Sequence, residues 1–166
     1  MSTLNTASPG LLFLHGLESG PHGSKYNALR SLPDIQLVSP DFRGLQTVQE
    51  RFERVLAVTE GMRDVVVVGS SFGGLMAALL ADACPERVAG YVLCAPAFHR
   101  AEAAGIQRVP EHVHVIHGSG DTVVPIEASR DFCRRFGGTL EEVDDDHRLG
   151  RSVDSILAAV RTMLHR

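Results

Sequence analysis

Ser71 sits in Gly69-Ser70-Ser71-Phe72-Gly73, directly after Val65-Val66-Val67-Val68 and directly before an alanine-rich stretch. A G-x-S-x-G run between a β-branched strand and a helix has a mechanical meaning. The serine is held in a strained backbone conformation, and glycines on either side leave room for the turn. Its hydroxyl then stands above the sheet, beside a helix N-terminus where developing negative charge is stabilised. That is the chemistry of an attacking nucleophile. A serine that only caps the helix is the plainer alternative for Ser71. A phosphate-binding loop fits poorly, because neither G-x-x-x-x-G-K-[ST] nor G-x-G-x-x-G is present. Ser70 neighbours the motif centre and reads as a residue that packs or hydrogen-bonds beside it.

An attacking serine needs a base, and the base needs an acid to orient it. The expected order is serine, acid, histidine, each on a loop after a later strand. Asp121 lies in His117-Gly118-Ser119-Gly120-Asp121-Thr122-Val123-Val124-Pro125, past the strand-like residues 113–116. Taken alone it is a turn aspartate. His147 lies in Asp145-Asp146-His147-Arg148-Leu149, past Thr139–Val143, where a histidine can return to the serine. His112 and His114 share one strand face and read as structural residues, with a paired metal site the weaker alternative. The run Asp144-Asp145-Asp146 reads as a solvated acidic loop, or as a carboxylate that favours the imidazolium or replaces Asp121. Upstream, Leu11-Leu12-Phe13-Leu14-His15-Gly16-Leu17 is a hydrophobic strand entering a His-Gly turn.

These four motifs, in this order, resemble a compact α/β-hydrolase of the small serine-esterase kind. The resemblance runs from Leu11 to Leu164. It implies catalysis by Ser71, Asp121 and His147, and an oxyanion hole from the backbone N–H groups of Phe72 and Leu17. Leu17 also reads as a pocket-lining apolar residue. Sheets of this class bind ligands beyond the carboxyl ends of their strands. His15, Phe42, Arg43 and Phe98, with Tyr26 and His99, are therefore the expected substrate contacts. Arg43 could hold a substrate carboxylate, or be an ordinary loop arginine. The loop 18–24 is polar and positioned over the mouth, and Ser19 and Ser24 read as turn and capping residues.

The elements that must position these residues follow from periodicity. Residues 11–15 form a continuous apolar run, as in a strand covered on both faces. Helical spacing is read over 25–32, 45–62, 72–83 and 125–136, and again from Val153 to Leu164. Strands are read at 35–38, 65–68, Val88–Cys94, 113–116 and Thr139–Val143. Small residues along 73–81 let the serine's helix lie close to the sheet. The expected fold is α/β: a doubly wound, mainly parallel sheet of about six strands with helices on both faces. One domain over 1–166 is expected, with 1–9 loosely ordered. The leading antiparallel strands of larger relatives are expected to be missing. Residues 95–112 are too short for a lid domain and would make a small cap with Pro96, Phe98 and Ile106.

Apolar content of 44% and charged content of 22% suit a soluble globular protein. A formal net charge of −4 without a basic stripe excludes a general nucleic-acid binder. No apolar run is long enough to span a bilayer. The three cysteines, Cys84, Cys94 and Cys133, form no C-x-x-C pair and read as free thiols in a reducing compartment. The expectation is a cytoplasmic serine hydrolase acting on small carboxylic ester or thioester substrates through an acyl-enzyme, with no cofactor or metal. Oligomeric state is not encoded in any legible pattern. The alternatives are an interaction protein on a hydrolase scaffold, or a triad hydrolase with amide, carbon–carbon or acyl-transfer chemistry.

Overall fold

Val65, Val66, Val67 and Val68 are all buried, so their strand is covered on both faces and requires helices on both sides. The computed structural model describes residues 10–166, and the segment 1–9 lies outside the described residues. Among the described residues there are six strands: β1 (Gly10–Leu14), β2 (Gln36–Val38), β3 (Val65–Ser70), β4 (Val88–Cys94), β5 (Val113–Gly118) and β6 (Thr139–Val143). They pair in parallel in the order β2-β1-β3-β4-β5-β6. Five α-helices connect or follow them: α1 (Ser24–Leu29), α2 (Val48–Val58), α3 (Phe72–Ala83), α4 (Ile126–Phe136) and α5 (Val153–Leu164).

Alternate residues of the strands feed two cores. Leu12, Leu14, Val67, Leu93 and Val115 pack with α2, α3 and Phe132 of α4. Leu11, Phe13, Val66, Val68 and Ile116 pack with Leu29 of α1 and the inner face of α5. This is the doubly wound α/β arrangement. The chain moves outward from β1 to β2, then returns to β3 and proceeds the other way. The winding therefore reverses between β1 and β3, and in such sheets the crevice above that reversal is where ligands bind.

α3 is apolar around its circumference and closest to the sheet. At Gly73 an added Cβ would lie 1.9 Å from the Leu14 carbonyl oxygen, so only glycine lets the helix start sit against β1. Two helices are shorter than the periodicity implies. The pattern over 45–62 yields a helix only from Val48 to Val58. Thr47 starts it with a capping box: its hydroxyl accepts from Glu50 N, and Glu50 accepts from Thr47 N. Leu45 and Met62 still pack on the core, but from turns. Similarly, α1 ends at Leu29, and tight i→i+3 bonds from Ser31 and Leu32 carry the chain away while Leu32 stays buried.

Candidate active site

The residue between β3 and α3 has little freedom. Ser71 adopts φ 54° and ψ −113°, a conformation that costs a side-chain-bearing residue about 1–3 kcal/mol. It is held there on several sides. Its N–H donates to the Cys94 carbonyl at 2.9 Å, and its own carbonyl accepts from Gly74, Leu75 and Ala97. Gly69 is needed beneath it, since a Cβ there would come within 2.6 Å of the Gly73 carbonyl. The backbone of this turn is over-determined, and the side chain is left facing a cleft.

β5 and β6 bring two further groups to the same edge. Gly118 makes the junction: a Cβ there would meet the Asp145 carbonyl at 2.3 Å, so the loop after β6 lies directly on the end of β5. His147 Nε2 is 3.0 Å from Ser71 Oγ, and His147 Nδ1 is 2.7 Å from Asp121 Oδ2. An ionised carboxylate only accepts, so Nδ1 carries the proton and Nε2 accepts from the serine hydroxyl. Asp121 is fully buried as a side chain. Its Oδ1 accepts from Val123 N and Val124 N, both at 2.8 Å. Burial pushes its pKa up, but the His147 bond and these two N–H groups outweigh it, leaving the carboxyl below its ordinary range.

His117, at the end of β5, lies under the acid. Its Nε2 is 3.1 Å from Asp121 Oδ2 and 3.0 Å from the Val124 carbonyl, two acceptors, so Nε2 bears the proton. Nδ1 then accepts from Ser129 Oγ at 2.8 Å. Burial is the main reason its pKa is lowered, which keeps the ring neutral.

The cleft, of about 650 Å³, falls in the usual range for small-molecule sites. Ser71, Phe72 and His147 line it, together with Gly16, Leu17, Lys25, Ala97, His99, Arg100 and Arg148. Leu17 is exposed at 37%, whereas Phe72 is buried. Phe72 is the first residue of α3, so its N–H has no partner within the helix.

The other expected contacts lie elsewhere. His15 and Phe42 are fully buried, and their rings pack together with centroids 5.2 Å apart. Phe98 stacks on Phe132 at 4.1 Å, inside the core rather than over the cleft. Ile106 is likewise fully buried, so the segment 95–112 forms a wall through Ala97, His99 and Arg100. Arg43 is exposed and turned onto Asp41, with a bond of 2.6 Å. Tyr26 packs on His22 at 4.5 Å. Of the six expected contacts, only His99 lines the cleft.

The acidic run is divided in role. Asp145 is buried and serves its own loop, accepting from Asp146 N, Arg151 N and Ser152 Oγ. Asp146 accepts from Arg148 N, and Asp144 is exposed. None of them reaches the His147 Nδ1 that Asp121 occupies. His114 pairs with Glu141 at 2.9 Å, and His112 with Arg166 at 2.8 Å.

Sequence reasoning passed over Arg51 altogether. It is 1% exposed on α2, and its guanidinium donates to the carbonyls of Leu45, His15 and Gly16. A signal was present: Val48, Arg51 and Val55 share one helical stripe, which puts a cation on the apolar face.

A family model described as "Alpha/beta hydrolase family" matches residues 11–164. Lipase LipV of Mycobacterium tuberculosis is 35% identical over 145 residues, covering 81% of this chain and 52% of that protein. The chain thus spans about half the length of this curated relative. A hydrolase of the alpha/beta superfamily from Xanthomonas campestris superposes with a TM-score of 0.81 at 25% identity, covering 95% of this chain and 98% of that one. Est1E from Butyrivibrio proteoclasticus has the same TM-score at 18% identity, covering 97% and 89%, and so shares the fold.

Proposed function

The chain belongs to the alpha/beta hydrolase family, and from that membership we propose that it is a serine hydrolase of small carboxylic esters or thioesters. One observation carries the reading: Ser71 Oγ, His147 and Asp121 are linked by bonds of 3.0 and 2.7 Å at the floor of an open cleft. Ser71 attacks the acyl carbonyl as His147 Nε2 takes the hydroxyl proton. Asp121 holds the imidazole in the Nδ1–H form and balances the imidazolium. His147 returns the proton to the leaving alcohol or thiol. Water, deprotonated by the same nitrogen, then cleaves the acyl-enzyme. The N–H groups of Phe72 and Leu17 receive the tetrahedral oxyanion, a contribution typically worth about 10²–10³ in rate per donor.

The name of the relative LipV supports an ester as the bond cleaved. The cleft favours short acyl groups: its wall segment 95–112 adds no lid, and its lining includes Lys25, Arg100 and Arg148. Three free cysteines support a reducing compartment, and we place the reaction in the cytoplasm. Among the described residues no helix is long and apolar enough to cross a membrane.

The test is hydrolysis of p-nitrophenyl acetate and butyrate by the wild-type chain and by Ser71→Ala, from pH 5 to 9. Activity lost in Ser71→Ala is the expected result. Equal turnover by both proteins would reject the reading.

A further inference from the structure

We propose that Arg51 and His15 are positioning residues for the oxyanion hole: they clamp the Gly16 carbonyl, so that the Leu17 N–H of the same peptide is fixed toward the cleft and polarised. The inference rests on the hydrolase reading above.

Arg51 needs an explanation. A buried cation is costly unless it is paired, and among the described residues no carboxylate pairs with Arg51. Burial lowers its pKa to about 10, so it stays charged at neutral pH. Its donors meet only neutral carbonyl oxygens: Leu45 at 2.8 Å, His15 at 3.1 Å and Gly16 at 3.3 Å. The guanidinium also stands 4.9 Å from the Phe72 ring centroid and 5.4 Å from that of Phe42. Both proposed donor segments, the loop at Gly16-Leu17 and the start of α3 at Phe72, therefore touch this one cation.

His15 acts on the same atom. Phe42 N donates to His15 Nε2 at 2.9 Å, which leaves the ring proton on Nδ1. Nδ1–H then donates to the Gly16 carbonyl at 2.7 Å. Ser19 Oγ approaches the same oxygen at 3.5 Å. Donors from a strand end, a helix and the loop itself thus converge on one carbonyl.

In a trans peptide, C=O and N–H point in opposite directions. Anchoring the Gly16 oxygen from the core side turns the Leu17 N–H to the other side, where Gly16 and Leu17 line the cleft. Hydrogen bonds in a chain polarise one another, so a peptide whose oxygen faces a guanidinium is a stronger donor. The charge also complements the reaction. An unpaired cation behind the donors attracts the oxyanion, present in the transition state and absent from the ester. Interactions of that kind raise kcat rather than lower KM.

The test uses the full chain with Arg51→Gln and Arg51→Lys, each checked for folding by circular dichroism and thermal midpoint. Arg51→Gln is expected to lower kcat on p-nitrophenyl butyrate by about 10- to 100-fold with KM nearly unchanged. Affinity for a trifluoromethyl ketone, which presents an oxyanion once Ser71 adds, falls by the same factor. Arg51→Lys recovers part of both. The ¹⁵N-resolved Leu17 amide resonance moves in both variants, while those of Val123 and Val124 stay in place. Should Arg51→Gln fail to fold, Arg51→Lys carries the test through the amide shift and the ketone affinity. Unchanged ketone affinity and an unmoved Leu17 amide would overturn the assignment. Absence of Ser71-dependent turnover in the wild type would instead overturn the hydrolase reading, and this inference with it.

Discussion

Two buried charges stand behind residues that line the Ser71 cleft, Asp121 behind His147 and Arg51 behind Gly16, and they are held in mirror fashion. Asp121 is an anion surrounded by donors: the Val123 and Val124 N–H groups, His147 Nδ1 and His117 Nε2. Arg51 is a cation surrounded by the carbonyls of Leu45, His15 and Gly16. Among the described residues, neither is paired with an opposite formal charge in the resting protein. On the proposed reading, each finds one only during reaction, when the imidazolium forms beside Asp121 and the oxyanion in front of Leu17. Neutral dipoles hold a charge in place without cancelling its field, and a salt bridge would cancel it.

If the two sides act independently, breaking both multiplies the losses. Asp121→Asn is expected to lower kcat by on the order of 10⁴, because the amide favours the wrong tautomer of His147. Adding Arg51→Gln should multiply that loss by the factor measured for Arg51→Gln alone, to within about twofold. Stopped or end-point assays with p-nitrophenyl butyrate read this directly. A double variant no slower than Asp121→Asn would mean that Arg51 acts through the Asp121–His147 arm, and the two-sided picture would fail.

The carboxyl edge was the legible part of this site in sequence, and the reason is geometric. A loop that follows a strand must lie at that strand's end, so the order of motifs brought Ser71, Asp121 and His147 to one edge. The six strands were legible for a related reason, since their apolar runs are bounded by turn residues. Side-chain direction was not legible. His15, Phe42 and Phe98 follow strand ends as expected, but they turn inward, where rings find each other and the backbone. Arg51 escaped because an amphipathic pattern assigns every charged residue to solvent. Helix ends at 45–62 were overdrawn because turn residues such as Leu45 and Met62 also feed the core.

The strain at Ser71 offers a smaller, thermodynamic way to separate function from stability. Ser71→Gly is expected to be more stable than Ser71→Ala by about 1 kcal/mol, since only glycine adopts φ 54° without cost. Both lack the hydroxyl and, on the proposed reading, are inactive. Urea midpoints of the two variants decide it, and equal midpoints would show an unstrained turn.

The smallest effect concerns pH. His15 and His117 both have pKa values lowered from 6.5, chiefly by burial. Their contribution is complete above the unfolded value and declines as pH falls below about 6.5, because the unfolded chain takes protons that the native rings refuse. Asp121, also lowered, extends the decline below its ordinary value of 3.8. Stability therefore falls from pH 7 to pH 5. His15→Asn reduces that slope, read as urea midpoints across the range, and an unchanged slope would exclude His15 as a contributor.

The most direct test of the central claim asks whether Ser71 is an activated nucleophile. The wild-type chain is treated with a fluorophosphonate at neutral pH and the adduct located by peptide mass mapping. A single phosphonyl group on Ser71, lost in His147→Ala, is the predicted result. An unlabelled Ser71 in a protein that is folded by circular dichroism would contradict the account.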